Sequence, residues 1–153
     1  MIPAGPLREP ATRLADVDVI VSNLSAGETA PAITATRARH VIMQLRPVEL
    51  EQLSSGRRVS WDAWIASHGG ETHAAVAAIG RPERYFSMLR NAGLELVRTA
   101  ALPDHYAYAG ASPFATLDTR YILVTAKDAV KCERFHDDRV WVCLLYTSDA
   151  ADE

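Results

Sequence analysis

Asp104 and His105 stand side by side in Pro103-Asp104-His105-Tyr106, a stretch between two apolar runs. A carboxylate beside an imidazole, in a loop that follows a strand, is the pairing that general acid/base or phosphate chemistry uses. The same dipeptide is also an ordinary solvated loop pair, and the residues alone leave both readings open. Arg8 and Glu9 lie among the prolines of Pro3–Pro10, where stiff backbone could hold a charged fork toward a phosphate or a metal. A solvated surface pair is the alternative there. Gly80-Arg81-Pro82 opens a helix whose N-terminus could receive an anion, or is a plain strand-to-helix turn. Lys127-Asp128 reads as a surface ion pair opening a helix, and Cys132 as a core residue with no metal-ligand partners near it in sequence.

These groups need elements to position them. Val17–Asn23 carries four β-branched apolar residues before a polar stop at Ser22-Asn23, which predicts a strand. Thr29–Arg37 has little periodicity and reads as a short helix or a loop. His40–Pro47 is the next expected strand, and Val48–Leu53 a turn. Ser54–Gly70 reads as a linker, with Trp61 and Trp64 as packing residues.

The second body is more regular. Thr72–Gly80 is an apolar strand that stops at glycine. Arg81–Leu94 predicts a helix with Pro82 in its first turn, Tyr85, Phe86, Leu89 and Ala92 on one face, and Gly93 as the stop. Leu94–Ala100 follows as a strand, completing a βαβ unit. Ser112–Asp118 suits a short helix start, Tyr121–Thr125 is the strongest strand, Lys127–Phe135 a helix, and Val140–Val142 a last strand. Alternating β and α elements predict a mainly parallel sheet covered by helices, with ligands at the carboxyl ends of its strands. Residues 1–53 read as the tail of an earlier sheet, 54–70 as the linker, and 71–142 as a second α/β domain.

The 153 residues are 48% hydrophobic, in short runs, none near the roughly 20 residues that span a bilayer as a helix. The N-terminus has no basic start followed by an apolar core, so a secretory signal is not expected and the cytoplasm is the expected compartment. Cys143–Glu153 (CLLYTSDAADE) back-translates to the end of a transposon adapter used to build sequencing libraries, and reads as a non-native tail. Without its three acids, sixteen acidic residues face sixteen Lys and Arg, so net charge moves from -3 to zero. Neither a strong basic nor a strong acidic field then argues for nucleic acid. Cys132 alone remains, which rules out an internal disulfide and suits a reducing compartment. The sequence holds no GxxxxGK[ST], GxGxxG, CxxC or HExxH pattern.

Four segments, PAGPLREP, AAIGRPERYF, LPDHYAY and YILVTAKDAVKCERF, occur in an order and spacing that resemble the C-terminal half of the tetraacyldisaccharide 4'-kinase family. The resemblance runs from Pro3 to about Val142. It implies an α/β fold, the edge of a P-loop-kinase-like parallel sheet in residues 1–53 followed by a smaller α/β/α domain. It also implies an ATP-dependent, Mg²⁺-assisted transfer of phosphate to the 4'-hydroxyl of a tetraacyl disaccharide 1-phosphate, a step of lipid A synthesis at the cytoplasmic face of the inner membrane. By the resemblance, His105 matches the histidine that pairs with the family's catalytic aspartate, and Asp104 would fix the imidazole or the loop. Arg8 and Glu9 match a nucleotide-side motif, Arg8 toward phosphate and Glu9 assisting the Mg²⁺ shell. Thr125, Lys127 and Asp128 match a TEKD pattern whose glutamate is Ala126 here, which favours a structural role for it. The phosphate loop, the metal-binding acids, the catalytic aspartate and the membrane contact would lie upstream of Met1, so the chain alone is expected to be inactive. The competing class is a non-catalytic α/β module that binds a nucleotide or a partner.

Source DNA read past both ends checks these expectations. The native reading frame should depart from this one at Cys143, with a GxxxxGK[ST] loop encoded before Met1. Adapter-free DNA encoding Cys143–Glu153 would overturn the first expectation, and lack of the loop would favour the binding module.

Overall fold

The computed structural model describes residues 9–33 and 37–149, with side chains through Tyr146. The chain divides into two compact units, Met1–Leu45 with Thr147–Glu153, and Arg46–Tyr146. In the first, a 3₁₀ turn at Ala11–Ala15 leads to β1 (Val19–Asn23), as the β-branched run predicts. β1 pairs in parallel with the start of β2 (Arg39–Gln52), from Val19 opposite Arg39 to Asn23 opposite Met43. A parallel pair requires a crossover, and the described residues of this one form no helix. Residues 34–36 of the expected helix or loop lie outside the described residues.

β2 corrects one boundary. Its extended backbone runs on to Gln52 instead of turning after Pro47. Proline breaks a strand only where its missing N–H is needed for the ladder. Pro47 falls between the stretch paired with β1 and the stretch, Glu49–Glu51, paired antiparallel with β3 (Arg58–Ser60).

In the second unit, the start of β7 (Val140–Asp149), β6 (Tyr121–Thr125), β4 (His73–Ala77) and β5 (Leu96–Ala101) lie side by side in that order, all parallel. Every residue of β4 is buried, because helices cover both faces of the sheet. Such doubly covered strands read as continuous apolar runs rather than alternating ones. Ala75, Ala77, Leu123, Trp141 and Cys143 face Trp61 and Trp64 of α1 (Trp61–His68) and Tyr85, Phe86 and Leu89 of α2 (Pro82–Asn91). Ala74, Val76, Ile122, Val124, Val140 and Val142 face Tyr108, Phe114 and α3 (Ala126–Cys132). The expected α2 forms with Pro82 in its first turn, and the chain leaves it through Gly93 at φ 95°, a conformation glycine adopts freely.

Three other segments differ from expectation. Ser54–Gly70 is not a connector: it supplies β3 and α1, and Trp61 and Trp64 enter the core. Ser60 caps α1 by accepting the Ala63 N–H, a helix start masked in the sequence by the surrounding Ser and Gly. Ser112–Asp118 forms turns instead of a helix. β7 continues beyond Val142, placing Cys143 opposite Thr125 and burying it; Leu, Tyr and Thr are strand formers whatever the origin of the segment.

The α1 face contains a buried histidine. The indole N–H of Trp64 donates to His73 Nε2 at 3.2 Å, and His73 Nδ1 meets the Glu71 carbonyl at 2.8 Å. This pattern requires a neutral imidazole protonated on Nδ1, and burial lowers the His73 pKa below its ordinary 6.5. The unfolded chain therefore binds the proton first on acidification, so unfolding free energy falls as pH drops from 6.5 toward the lower folded value, and is unaffected by this group above 6.5. Urea unfolding between pH 8 and pH 5 should show that decline in the unsubstituted chain and a smaller one in His73→Gln.

Candidate functional site

Three strand ends converge at the carboxyl edge of the parallel sheet, as its topology requires. Beyond β4, the Ala78 N–H donates to Asp128 Oδ2 at 3.1 Å. Beyond β6, Thr125 caps α3: its hydroxyl accepts the Asp128 N–H at 3.2 Å and donates to Asp128 Oδ2 at 2.7 Å. Beyond β5, the Leu102 N–H donates to the Ala77 carbonyl at 2.9 Å. The Asp128 carboxylate, only 1% exposed, thus ties β4 to the start of α3. Lys127-Asp128 is therefore not a surface ion pair. A side chain at this position of a helix following a buried strand points under the helix, toward the sheet edge, and the Thr-x-x-Asp spacing is a reciprocal cap.

Asp104 and His105 form the turn that leaves β5. The Tyr106 N–H closes the turn on the Pro103 carbonyl at 3.0 Å, and Asp104 Oδ1 accepts the His105 backbone N–H at 3.0 Å. Asp104 thereby fixes the loop rather than the imidazole. His105 has φ 60°, in the left-handed region, and its side chain is exposed. Non-glycine residues held there cost about 1–3 kcal/mol and cluster at functional sites. The imidazole has no hydrogen-bond partner among the described residues, and the residue is exposed to solvent.

α3 meets this turn through one hydrogen bond and one longer, exposed ion pair. Lys127 Nζ lies 3.9 Å from Asp104 Oδ1, and Lys131 Nζ donates to the Tyr106 carbonyl at 3.2 Å. Lys131 was not anticipated, although its spacing of four from Lys127 puts both on one helix face. Gly80 completes the edge: a Cβ there would lie 3.6 Å from Asp104 Oδ2, so the group nearest this helix start is the protein's own carboxylate.

The remaining candidates fall elsewhere. Arg8 lies outside the described residues. Glu9 belongs to the first unit, and its carboxylate accepts from Arg13 Nε at 3.0 Å across the 3₁₀ turn, an exposed pair. Ser22-Asn23 ends β1 in the same unit. Cys132 is buried, and burial pushes its thiol up to about 12, which leaves it unreactive at neutral pH. No three His, Cys, Asp or Glu side chains gather as a metal cage among the described residues. A cavity of about 490 Å³ lined by Thr72, Thr119, Tyr121 and Arg139 opens at the opposite, amino-terminal ends of β4 and β6. Its Arg139 is already committed to Asp137 and to the Leu117 and Phe114 carbonyls.

Comparison with known proteins gives a consistent assignment. Residues 1–151 match the family model described as LpxK, tetraacyldisaccharide-1-P 4'-kinase. A tetraacyldisaccharide 4'-kinase of Bordetella parapertussis is 48% identical over 147 residues, covering 96% of this chain and 42% of the relative. Those of Janthinobacterium sp. and Halorhodospira halophila are 40% and 37% identical. The chain thus spans less than half the length of the curated relatives it matches. A solved LpxK from Aquifex aeolicus, in complex with ATP, superposes with a TM-score of 0.65 at 24% identity, over 99% of this chain and 44% of that one. That likeness establishes the fold, a mostly parallel α/β sheet.

Asp128→Ala should leave the Ala78 N–H and the Thr125 hydroxyl buried without their acceptor, at a cost of about 1–3 kcal/mol. Val130→Ala, on the exposed side of the same helix, should stay within about 0.5 kcal/mol. Urea denaturation of the two variants measures the contrast.

Proposed function

Because this chain belongs to the tetraacyldisaccharide-1-P 4'-kinase family, we propose that it forms part of an ATP-dependent kinase that phosphorylates the 4'-hydroxyl of tetraacyldisaccharide 1-phosphate in lipid A synthesis. The observation that carries the reading is the placement of His105, exposed and in left-handed backbone at the carboxyl edge of a parallel sheet, where ligands of such sheets bind. Phosphoryl transfer demands little covalent chemistry of the protein and depends on positioning and charge. One proton, however, must leave the attacking sugar hydroxyl.

His105 is suited to assist that removal. Its free ring nitrogens can hydrogen-bond a carboxylate base supplied by the remainder of a full-length family member, orienting it and stabilising the charge that develops. Asp104 holds the backbone of His105 through the 3.0 Å bond to its N–H, so the imidazole is presented from a fixed turn. ATP is the proposed phosphate donor, with Arg8 and Glu9 on the nucleotide side. Magnesium is the metal expected for such a transfer. The described residues do not form a cage for it, and Glu9 is held by Arg13, so no step is assigned to a metal held by this chain. By its resemblance to the family, the proposed reaction is assigned to the cytoplasmic surface of the inner membrane, and no membrane contact is assigned to the residues of this chain.

In a full-length enzyme carrying this segment, His105→Ala should lower kcat by about 10²–10⁴-fold, with ATP affinity unchanged. An unaltered kcat would reject the role of His105. The 153-residue chain alone should show no 4'-kinase turnover, and measurable turnover would contradict the division of labour proposed.

A further inference from the structure

We infer that Lys127 and Lys131 of α3 act as a two-point clamp that positions His105, an inference that rests on the kinase reading for its catalytic consequence. His105 stands between Asp104 and Tyr106, and each of these neighbours has one lysine against it, Lys131 hydrogen-bonded to Tyr106 and Lys127 in a longer, exposed ion pair with Asp104. Lys127 Nζ approaches the Asp104 carboxylate at 3.9 Å, and Lys131 Nζ donates to the Tyr106 carbonyl at 3.2 Å. The lysines are four residues apart, one helical turn, so a single rigid face reaches both sides of the turn.

The anchor of that face is buried. Asp128, between the two lysines in sequence, fixes the first turn of α3 to β4 and to Thr125 through the Ala78 N–H and the threonine hydroxyl. A flexible exposed lysine holds little by itself. Here both lysines start from a helix that cannot shift without breaking buried hydrogen bonds, and both end on a turn of four residues. The turn needs such support because His105 occupies φ 60°, where an L side chain is disfavoured. The Asp104 bond to the His105 N–H and the Pro103 bond to the Tyr106 N–H supply the internal part of it. The lysines supply the external part. Neither lysine is assigned a contact with the reacting atoms, so both are positioning residues.

Two readouts test the clamp. Lys127→Met with Lys131→Met keeps the aliphatic stems and removes both charges and donors. In the 153-residue chain, hydrogen exchange at the His105 and Tyr106 amides should accelerate about tenfold or more, with exchange in β4 and β6 unchanged. In the full-length enzyme the same double variant should lower kcat about 10–100-fold by misplacing the imidazole, with KM for ATP within about twofold of the parent. Lys127→Arg with Lys131→Arg, which keeps a positive donor at each position, should recover part of both readouts. Unchanged exchange at the two amides overturns the proposal, whatever happens to kcat. A raised KM for the lipid with kcat intact also overturns it, because the lysines would then be substrate contacts. If the unsubstituted full-length protein has no kinase turnover, the functional reading fails and the exchange experiment still decides whether the clamp exists.

Discussion

A buried carboxylate ties together the carboxyl edge of the parallel sheet. Asp128 is removed from water, which for an ionisable group is costly unless its oxygens find partners. One oxygen finds two, the Thr125 hydroxyl at 2.7 Å and the Ala78 N–H at 3.1 Å. Those partners belong to the ends of β6 and β4, while Oδ1 has no hydrogen-bond partner, so the cost of burying the group is reduced, and only when both strand ends and the first turn of α3 are in place. The carboxylate therefore acts as a condition on the fold at the edge where ligands of parallel sheets collect.

The arrangement of Asp104 and His105 follows from that condition. With β4 and α3 fixed, the Leu102 N–H bonded to the Ala77 carbonyl fixes where β5 ends. The chain must then turn over the start of α3, and it does so through the left-handed backbone of His105. Strain of this kind persists where the surroundings over-determine the conformation. The sheet below, the Asp104 side chain within, and α3 alongside provide that over-determination. An exposed imidazole on an otherwise constrained turn is the geometry on which the role proposed for His105 rests.

The α/β class was legible because its signals are local. Pro82 and Gly93 bracket α2, and β-branched runs mark β1 and β6, each through the backbone freedom of the residues concerned. Asp104-His105 was visible as a chemically capable pair, and its order among four motifs linked it to a kinase family. Less legible were Ser54–Gly70 and Pro47. The first hides a helix behind loop-forming residues, and its two tryptophans belong to the core only because β6 and β7 lie beneath them. The second depends on which backbone groups need partners.

Sequence by itself determined the parallel α/β class, the βαβ unit around α2, and the residue types available for proton transfer, because periodicity, turn residues and side-chain chemistry are properties of neighbouring residues. Tertiary structure alone decided the roles within the site. Asp128 and Lys127 are adjacent in sequence, yet one is buried beneath α3 and the other reaches Asp104, since successive residues of a helix point about 100° apart. Lys131 and Tyr106, 25 residues apart, meet only after β6 inserts beside β4 and carries α3 across the sheet edge. No local pattern encodes that meeting, because it depends on the order in which the strands pair.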